Sequence, residues 1–344
     1  MTSRPSRPRM KDVAAEAGVS VMTVSRVVNG EAGVAPLTAA RVAAAVRKLG
    51  YQRDDVARQL RRTDRLSQTI GLMVDNVADP FMAAVASATE DVAHRRGNMV
   101  LIGSSRADLR REREVIAAFT ARRVDGLILT PVAGDHRVLR SAQARGTKIV
   151  CVDRVAPGLD VDTVVVDNFG AVRQAVRHLI AHGHRRICYL GDKPEIWTFG
   201  ERHRGYLAAL DAAGIAADPA LVRHDLRSGA DAARAVTALL SAPRPPTAVL
   251  AGNEVLAFGV RAVLPAGVAF VAFDDFALAA QLTPPVTVIA QDPVALATSA
   301  AQLLFARIHG DTSPPRRVVM PTELIPRGSG EIPGPGTPIT TPRR

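Results

Sequence analysis

Aromatic side chains are scarce in this 344-residue chain: one Trp, three Tyr and nine Phe, 4% in all. A core must therefore be built mainly from Ala, Val, Leu and Ile, and a hydrophobic fraction of 47% is enough for one. There are only two cysteines, Cys151 and Cys188. They have no metal-ligand spacing and make no disulfide framework, and each sits in an apolar strand-like run, the setting of a buried free thiol. No apolar leader opens the chain and no run is long enough to span a bilayer, so a cytoplasmic protein without a membrane partner is expected. No glycine-rich phosphate cradle and no G-x-S-x-G elbow is present. Asp274 and Asp275 are adjacent, so they are not placed to flank one glycosidic bond. His178 and His182 share a helix face with His184 nearby, but no cysteine or further carboxylate completes a ligand set. The expectation is a protein that is not an enzyme and holds no metal or cofactor.

The charge is unevenly placed. The formal net charge is +11, from 44 Lys and Arg against 33 Asp and Glu. Residues 1–65 carry 13 basic and 6 acidic groups, a surplus of seven in under a fifth of the chain. That is the electrostatic footprint of a polyanionic partner. Arg4, Arg7 and Arg9 belong to a Pro/Arg/Ser-rich arm, residues 1–8, expected to be disordered. Arg26, Arg41, Arg47 and Lys48 fall on predicted helices.

The stretch from Met10 to Gly30, MKDVAAEAGVSVMTVSRVVNG, reads as two short helices around a tight turn. Val13, Ala14 and Ala17 give the first helix an apolar side. Gly18 supplies the open backbone of the turn. Ser20 is placed to cap the second helix by accepting the Thr23 N–H. Val24, Val27 and Val28 share its inward face, so Val21, Met22, Ser25, Arg26 and Asn29 point outward. A short helix with small apolar groups, hydroxyls and one arginine suits the major groove, where arginine can donate to O6 and N7 of guanine. A third helix, Leu37–Leu49, repeats Val42, Val46 and Leu49 on one face and ends at Gly50. Asp54 can cap a further short helix in which Val56, Ala57 and Leu60 share a face.

The string D-V-A-x-x-A-G-V-S-x-x-T-V-S-R-V-x-N, from Asp12 to Asn29, resembles the DNA-binding headpiece of the lactose-repressor (LacI/GalR) family, and the similarity continues to about Arg327. The resemblance implies a homodimeric, sequence-specific transcriptional regulator, a repressor reading two half-sites of a near-palindromic double-stranded operator. Arg26 is assigned to guanine recognition. Val21 and Met22 are assigned to apolar and shape contacts, Thr23 and Ser25 to phosphate or backbone, with Asn29 on the same face. Thr38 and Arg41 remain as phosphate contacts where the family's usual Ser and Arg are replaced by Ala35 and Ala39. Leu60 matches the leucine that wedges into the minor groove from a hinge helix. Arg53 and Asp54 stand there in place of the usual proline and asparagine.

From Thr69 onward, IGLMVD, MVLIGSS, VDGLILT, KIVCVD, RICYLGD, TAVLAG and VAFVAFDD alternate with segments of helical length. Continuous apolar strands of this kind imply parallel sheet covered on both faces. There are too many for one sheet of usual size, so two α/β lobes are expected. The chain would cross between them near Val166–Asp167, Ile289–Pro293 and Met320–Leu324. This is similar to the family's effector domain, which shares the fold of periplasmic sugar-binding proteins and holds its ligand between the lobes. The Leu264-Pro265-Ala266-Gly267 link before Val268 is shorter than the family's. The fold class is α plus α/β. The organisation is an arm (1–8), a helix-turn-helix domain (9–52), a hinge helix and linker (53–66), a two-lobed effector-binding and dimerisation domain (67–327) and a Pro/Gly/Thr-rich tail (328–344). The tail is expected to be disordered and has no heptads for a tetramer.

Ligand contacts are sought just beyond strand ends. Asp79 and Phe81 follow the first strand, and Asp153 and Arg154 follow KIVCV. Trp197, Thr198 and Arg202 precede the GY of ERHRGY, Asn253 follows TAVLAG, Asp274 follows VAFVAF, and Gln291 lies at a lobe crossing. By resemblance, Arg202, Asn253, Asp274 and Gln291 match effector-bonding positions. Carboxylates, amides, a guanidinium and an aromatic together suit a sugar. Asp167 and Asp275 read equally as helix caps, Arg154 as a partner of Asp153, and Trp197 as packing. The alternatives left open are a solute-binding module without DNA function, a corepressor-dependent regulator of nucleobase metabolism, and a sugar-acting enzyme.

Overall fold

The computed structural model describes residues 8–51 and 66–335. The chain divides into two units, Met1–Leu66 and Ser67–Arg344.

The described residues of the first unit form three helices: α1 (Met10–Ala17), α2 (Val21–Asn29) and α3 (Pro36–Leu49). Gly18 closes α1 at φ 61°, where a side chain would be strained. Ser20 Oγ accepts the Thr23 N–H at 3.1 Å and starts α2. Val13, Ala14, Ala17, Val24, Val42 and Ala45 form a small core, with Val27, Val28 and Val46 packed against it. Pro36 opens α3 at its first position, but Ala35 offers it no side-chain cap. Leu60, Arg53 and Asp54 lie outside the described residues, so the expected hinge helix does too.

The second unit opens with β1 (Thr69–Val74), α4 (Pro80–Arg95), β2 (Met99–Ser104), α5 (Leu109–Ala121), β3 (Gly126–Leu129), α6 (Arg137–Ala144), β4 (Lys148–Val152) and β5 (Asp162–Val166). It continues with α7 (Asn168–Ala181), β6 (Ile187–Leu190), α8 (Trp197–Ala212), β7 (Val222–Arg223), α9 (Gly229–Leu240), β8 (Ala248–Ala251), α10 (Glu254–Val263), β9 (Ala269–Phe273), β10 (Thr287–Ala290), α11 (Pro293–Ile308), β11 (Arg317–Met320) and β12 (Glu323–Ile325). Two six-stranded sheets result, in the orders β11-β5-β4-β3-β1-β2 and β12-β10-β9-β8-β6-β7. The pairings are parallel except between β10 and β12.

The apolar strand runs divide by the period of two. In β4, Val150 and Val152 face one core while Ile149 and Cys151 face another. In β8, Ala248 and Leu250 divide from Val249 and Ala251 in the same way. Both cysteines are free and buried. Between α7 and α8 the helices approach closely at Gly205, where a Cβ would strike the Phe169 carbonyl oxygen. The chain passes from the first lobe to the second after β5, returns through α11, and crosses a third time between β11 and β12. Leu264–Val268 is the whole link between α10 and β9.

The tail requires a correction. Disorder was expected from Gly328, yet residues 328–335 pack on the second lobe. Ser329 is buried. Its hydroxyl accepts the Thr287 N–H at 2.8 Å and donates to the Phe270 carbonyl at 2.6 Å, while the Phe270 N–H donates to the Ser329 carbonyl at 2.8 Å. Glu331 accepts from Thr287 Oγ1 at 2.8 Å and meets His178. A segment too polar to suggest burial is ordered by hydrogen bonds to an otherwise unpaired sheet end.

Candidate functional site

In the first unit, the free face of α2 carries Val21 at 47% and Met22 at 67% exposure, with Arg26 and Asn29 also exposed. Thr23 and Ser25 are half-buried; Thr23 Oγ1 pairs with Ser20 Oγ at 2.9 Å, and Asn29 donates to Ser25 Oγ at 3.3 Å. Arg41 is exposed and Thr38 half-buried on α3. Leu37, which the sequence reading passed over, is 84% exposed beside them. The outward face of α2 thus presents two exposed apolar side chains together with hydroxyls, an amide and a guanidinium.

In the second unit, β1 is flanked by β2 and β3, and β6 by β7 and β8. Each is the point where strand order reverses, where parallel sheets bind ligands. Polar side chains from the strand ends meet in a cavity between the lobes. Its lining includes Asp79, Phe81, Asp153, Arg154, Thr198, Arg202, Asn253, Asp274 and Gln291. Of the expected effector residues only Trp197 is elsewhere: Arg317 stacks over its ring at 5.4 Å, so it packs rather than lines the cleft. Asp75, Met82, Tyr189, Asp192, Phe199 and Gly252 also line the cavity and were not foreseen. The rule of searching beyond strand ends would have found Asp75, Asp192 and Gly252; Met82, Tyr189 and Phe199 arrive only by folding.

Arg202 braces the second lobe. Its Nε donates to Asn168 Oδ1 at 2.7 Å, a terminal nitrogen donates to the Gly252 carbonyl, and its guanidinium lies 3.5 Å over the Phe273 ring. Gln291 donates to Asp274 at 2.5 Å. Arg154 holds Asp75 at 2.9 Å and Asp153 at 3.4 Å. Asp153 and Asp274 take φ of 69° and 76°, values that are uncommon for a side-chain-bearing residue and that store strain at the cleft. Asp79 and Asn253 also cap α4 and α10. Asp167 caps α7, as one reading had it, whereas Asp275 is held by Arg327 through two bonds of 2.7 Å.

Burial raises the carboxyl groups of Asp153 and Asp274 above their usual range, against the pull of Arg154 and Arg202 on the first and Arg202 on the second. Burial also pushes Asp79 and Asp192 up to about 6. Several buried polar atoms lack a hydrogen-bond partner among the described residues: Arg154 Nε and one of its terminal nitrogens, the Tyr189 hydroxyl, and Gln291 Oε1. Buried groups left open are costly unless a ligand or water satisfies them. The arrangement can bind a compact polar molecule from both lobes at once.

A helical unit with an exposed helix face of apolar, hydroxyl and guanidinium groups, joined in one chain to a two-lobed cleft, fits the class of ligand-responsive DNA-binding proteins. Residues 9–54 match the bacterial regulatory proteins of the lacI family, and residues 67–326 match the periplasmic binding proteins and sugar binding domain of LacI family. The chain belongs to the LacI family of DNA-binding transcriptional regulators. It is 32% identical to the HTH-type transcriptional regulator GalR of Escherichia coli (strain K12) over 331 residues, 94% of this chain and 96% of that one. A crystal structure of the lac repressor dimer bound to operator and the anti-inducer ONPF superposes with a TM-score of 0.81 at 26% identity, over 94% of this chain and 99% of that one. A transcriptional regulator CelR–cellobiose complex gives 0.70 at 32% identity, over 94% and 100%. Among the described residues, no helix is long and apolar enough to cross a membrane.

Proposed function

We propose that this regulator is a cytoplasmic homodimeric repressor, that its two α2 helices read the half-sites of a near-palindromic operator, and that a sugar held in the cleft sets its operator affinity. The observation that carries the ligand reading is the convergence of strand ends from both lobes on buried donors and acceptors left open. A polyol supplies hydroxyls that both donate and accept, and so satisfies both kinds. A ligand touching both lobes binds one angle between them better than another, and that differential affinity is what shifts a two-state regulator. The relative solved with cellobiose supports the sugar class, and the repressor dimer solved on operator supports the assembly.

The α2 face supports Arg26 as the guanine reader, Val21 and Met22 as apolar contacts, and Thr23, Ser25 and Asn29 as groove and phosphate contacts, with Thr38 and Arg41 of α3 as further phosphate contacts. The test is a thermal-shift screen of sugars on the full-length protein, followed by gel shift on genomic fragments with and without each hit. A sugar that raises the melting temperature and changes the retardation of one fragment is the expected result. Retention of every duplex equally, whatever the sugar, would overturn the reading.

A further inference from the structure

The charge lining the cleft is mostly of one sign. Among the described residues, five aspartates line it against two arginines, Arg154 and Arg202, with no lysine or histidine. Neither arginine is free to neutralise an incoming anion. Arg154 holds Asp75 at 2.9 Å and lies 3.4 Å from Asp153. Arg202 donates to Asn168 and to the Gly252 carbonyl and covers the Phe273 ring. Asp192 follows β6 in the second lobe and faces Arg154 and Asp75 of the first across the cleft. Its carboxylate accepts the Lys193 N–H at 2.7 Å and forms no ion pair among the described residues.

Hydrogen-bonding groups of both kinds remain open in the same cavity. Arg154 Nε, one of its terminal nitrogens and the Tyr189 hydroxyl are buried without a hydrogen-bond partner among the described residues, and so is the acceptor Gln291 Oε1. Sugar hydroxyls can accept from the first three and donate to the last. A carboxylate or an ionised phosphate only accepts. In their place it leaves Gln291 Oε1 unpaired and adds negative charge among the aspartates.

We infer that the effector is an uncharged sugar, and that Asp192 is the residue that turns away its acidic and phosphorylated counterparts. This rests on the cleft being the effector site, as proposed above. Like charges brought together where little water screens them repel far more strongly than in bulk solvent. A carboxylate opposite Arg154 therefore decides what that guanidinium accepts. Asp75 and Asp153 spend their charge on holding Arg154, whereas Asp192 holds no cation and acts on the ligand instead. The protein thus reads a sugar as it stands before phosphoryl transfer to it, or its oxidation to an acid, has taken place.

Burial pushes both Asp79 and Asp192 up to about 6. Asp79 also faces Asp274 and Asp153, while Asp192 faces Arg154, Asp75, Arg227 and Arg202. As pH falls from about 7.5 to about 5.5 the two take up protons and the cleft loses negative charge. A uronate keeps its own carboxylate ionised over that range, so the penalty on it shrinks.

The experiment is calorimetric titration of the full-length protein with glucose, galactose and mannose, each beside its uronate and its 6-phosphate, at both pH values. The neutral member of one set should bind at least about tenfold more tightly than its anionic partners at the higher pH. Its margin over the uronate should narrow at the lower pH. Asp192→Asn should cut both margins by about threefold or more, while Asp192→Glu, which keeps the charge, should preserve them. The melting temperature of Asp192→Asn should hold or rise, because a carboxylate that burial disfavours is gone. If an anionic member binds as tightly as its neutral partner, the inference falls while the cleft stays a sugar site. If Asp192→Asn keeps the wild-type margins, or Asp192→Glu loses them equally, the assignment to Asp192 falls. If no member of any set binds, the sugar reading falls and takes this one with it.

Discussion

Arg26 leaves α2 on the side away from Val24, and that placement follows from the spacing of three valines. Replacing it with alanine removes a two-donor fork and leaves the helix core untouched. Arg26→Ala should weaken operator binding by about 1–3 kcal/mol per half-site and relax preference at one base pair. Fluorescence anisotropy on operator variants measures both, and unchanged preference would show that another residue reads the base. Arg202 is the opposite case. Its sequence position marked it as functional, but its partners Asn168, Gly252 and Phe273 come from three other segments, so its bracing role was not legible beforehand. Trp197 shows the limit of proximity along a chain. It precedes Thr198 by one residue, yet successive helical positions point in different directions, and only Thr198 reaches the cleft.

Helix ends and sheet ends are where element stability can be changed one group at a time. Because α3 starts at Ala35 without a side-chain cap, Ala35→Ser should add one hydrogen bond to an orphan N–H. The gain expected is about 1 kcal/mol, read from the urea midpoint of the helical unit within the full chain. The packed tail gives the converse. Ser329→Ala removes the partner of both the Thr287 N–H and the Phe270 carbonyl, which are buried. It should cost the second unit about 1–3 kcal/mol. A melting temperature equal to wild type would mean those groups find water instead. Strand and helix order was readable because apolar runs of four to six residues alternate with amphipathic stretches. The tail was not, because its stabilisation is hydrogen bonding to distant backbone and leaves no hydrophobic pattern.

At the scale of the whole molecule, buried acids in and beside the cleft set a pH dependence. Asp79 and Asp192, pushed up to about 6, and Glu254, pushed up to about 7, start from ordinary values of 3.8 and 4.5. Between those limits the native state binds more protons than the unfolded chain, so stability rises as pH falls. Elsewhere, hydrogen bonds from Ser313 hold Asp311 down to about 2. Arg307 and Arg316 lower Asp162 despite the opposing pull of burial. These paired groups stabilise the fold above the ordinary carboxylate range and lose that contribution only as pH drops below about 4. The ligand-free effector domain should therefore melt highest near about pH 5. Calorimetry from pH 4 to 8 checks this, and a melting temperature that climbs steadily to pH 8 would contradict the burial of these three acids.

Within the sequence alone lay the two kinds of unit, the face of α2 that meets solvent, the double-sided burial of the strands and the three lobe crossings. Each of these is a local periodicity or a run of fixed residues, and local patterns need no partner to be read. Only the folded chain decided which strand-end side chains share one cavity, that Tyr189 and Phe199 join it, that Trp197 does not, and that the last residues before 336 pack against a sheet. Those outcomes depend on separations in space between segments far apart along the chain, which no spacing in the sequence encodes.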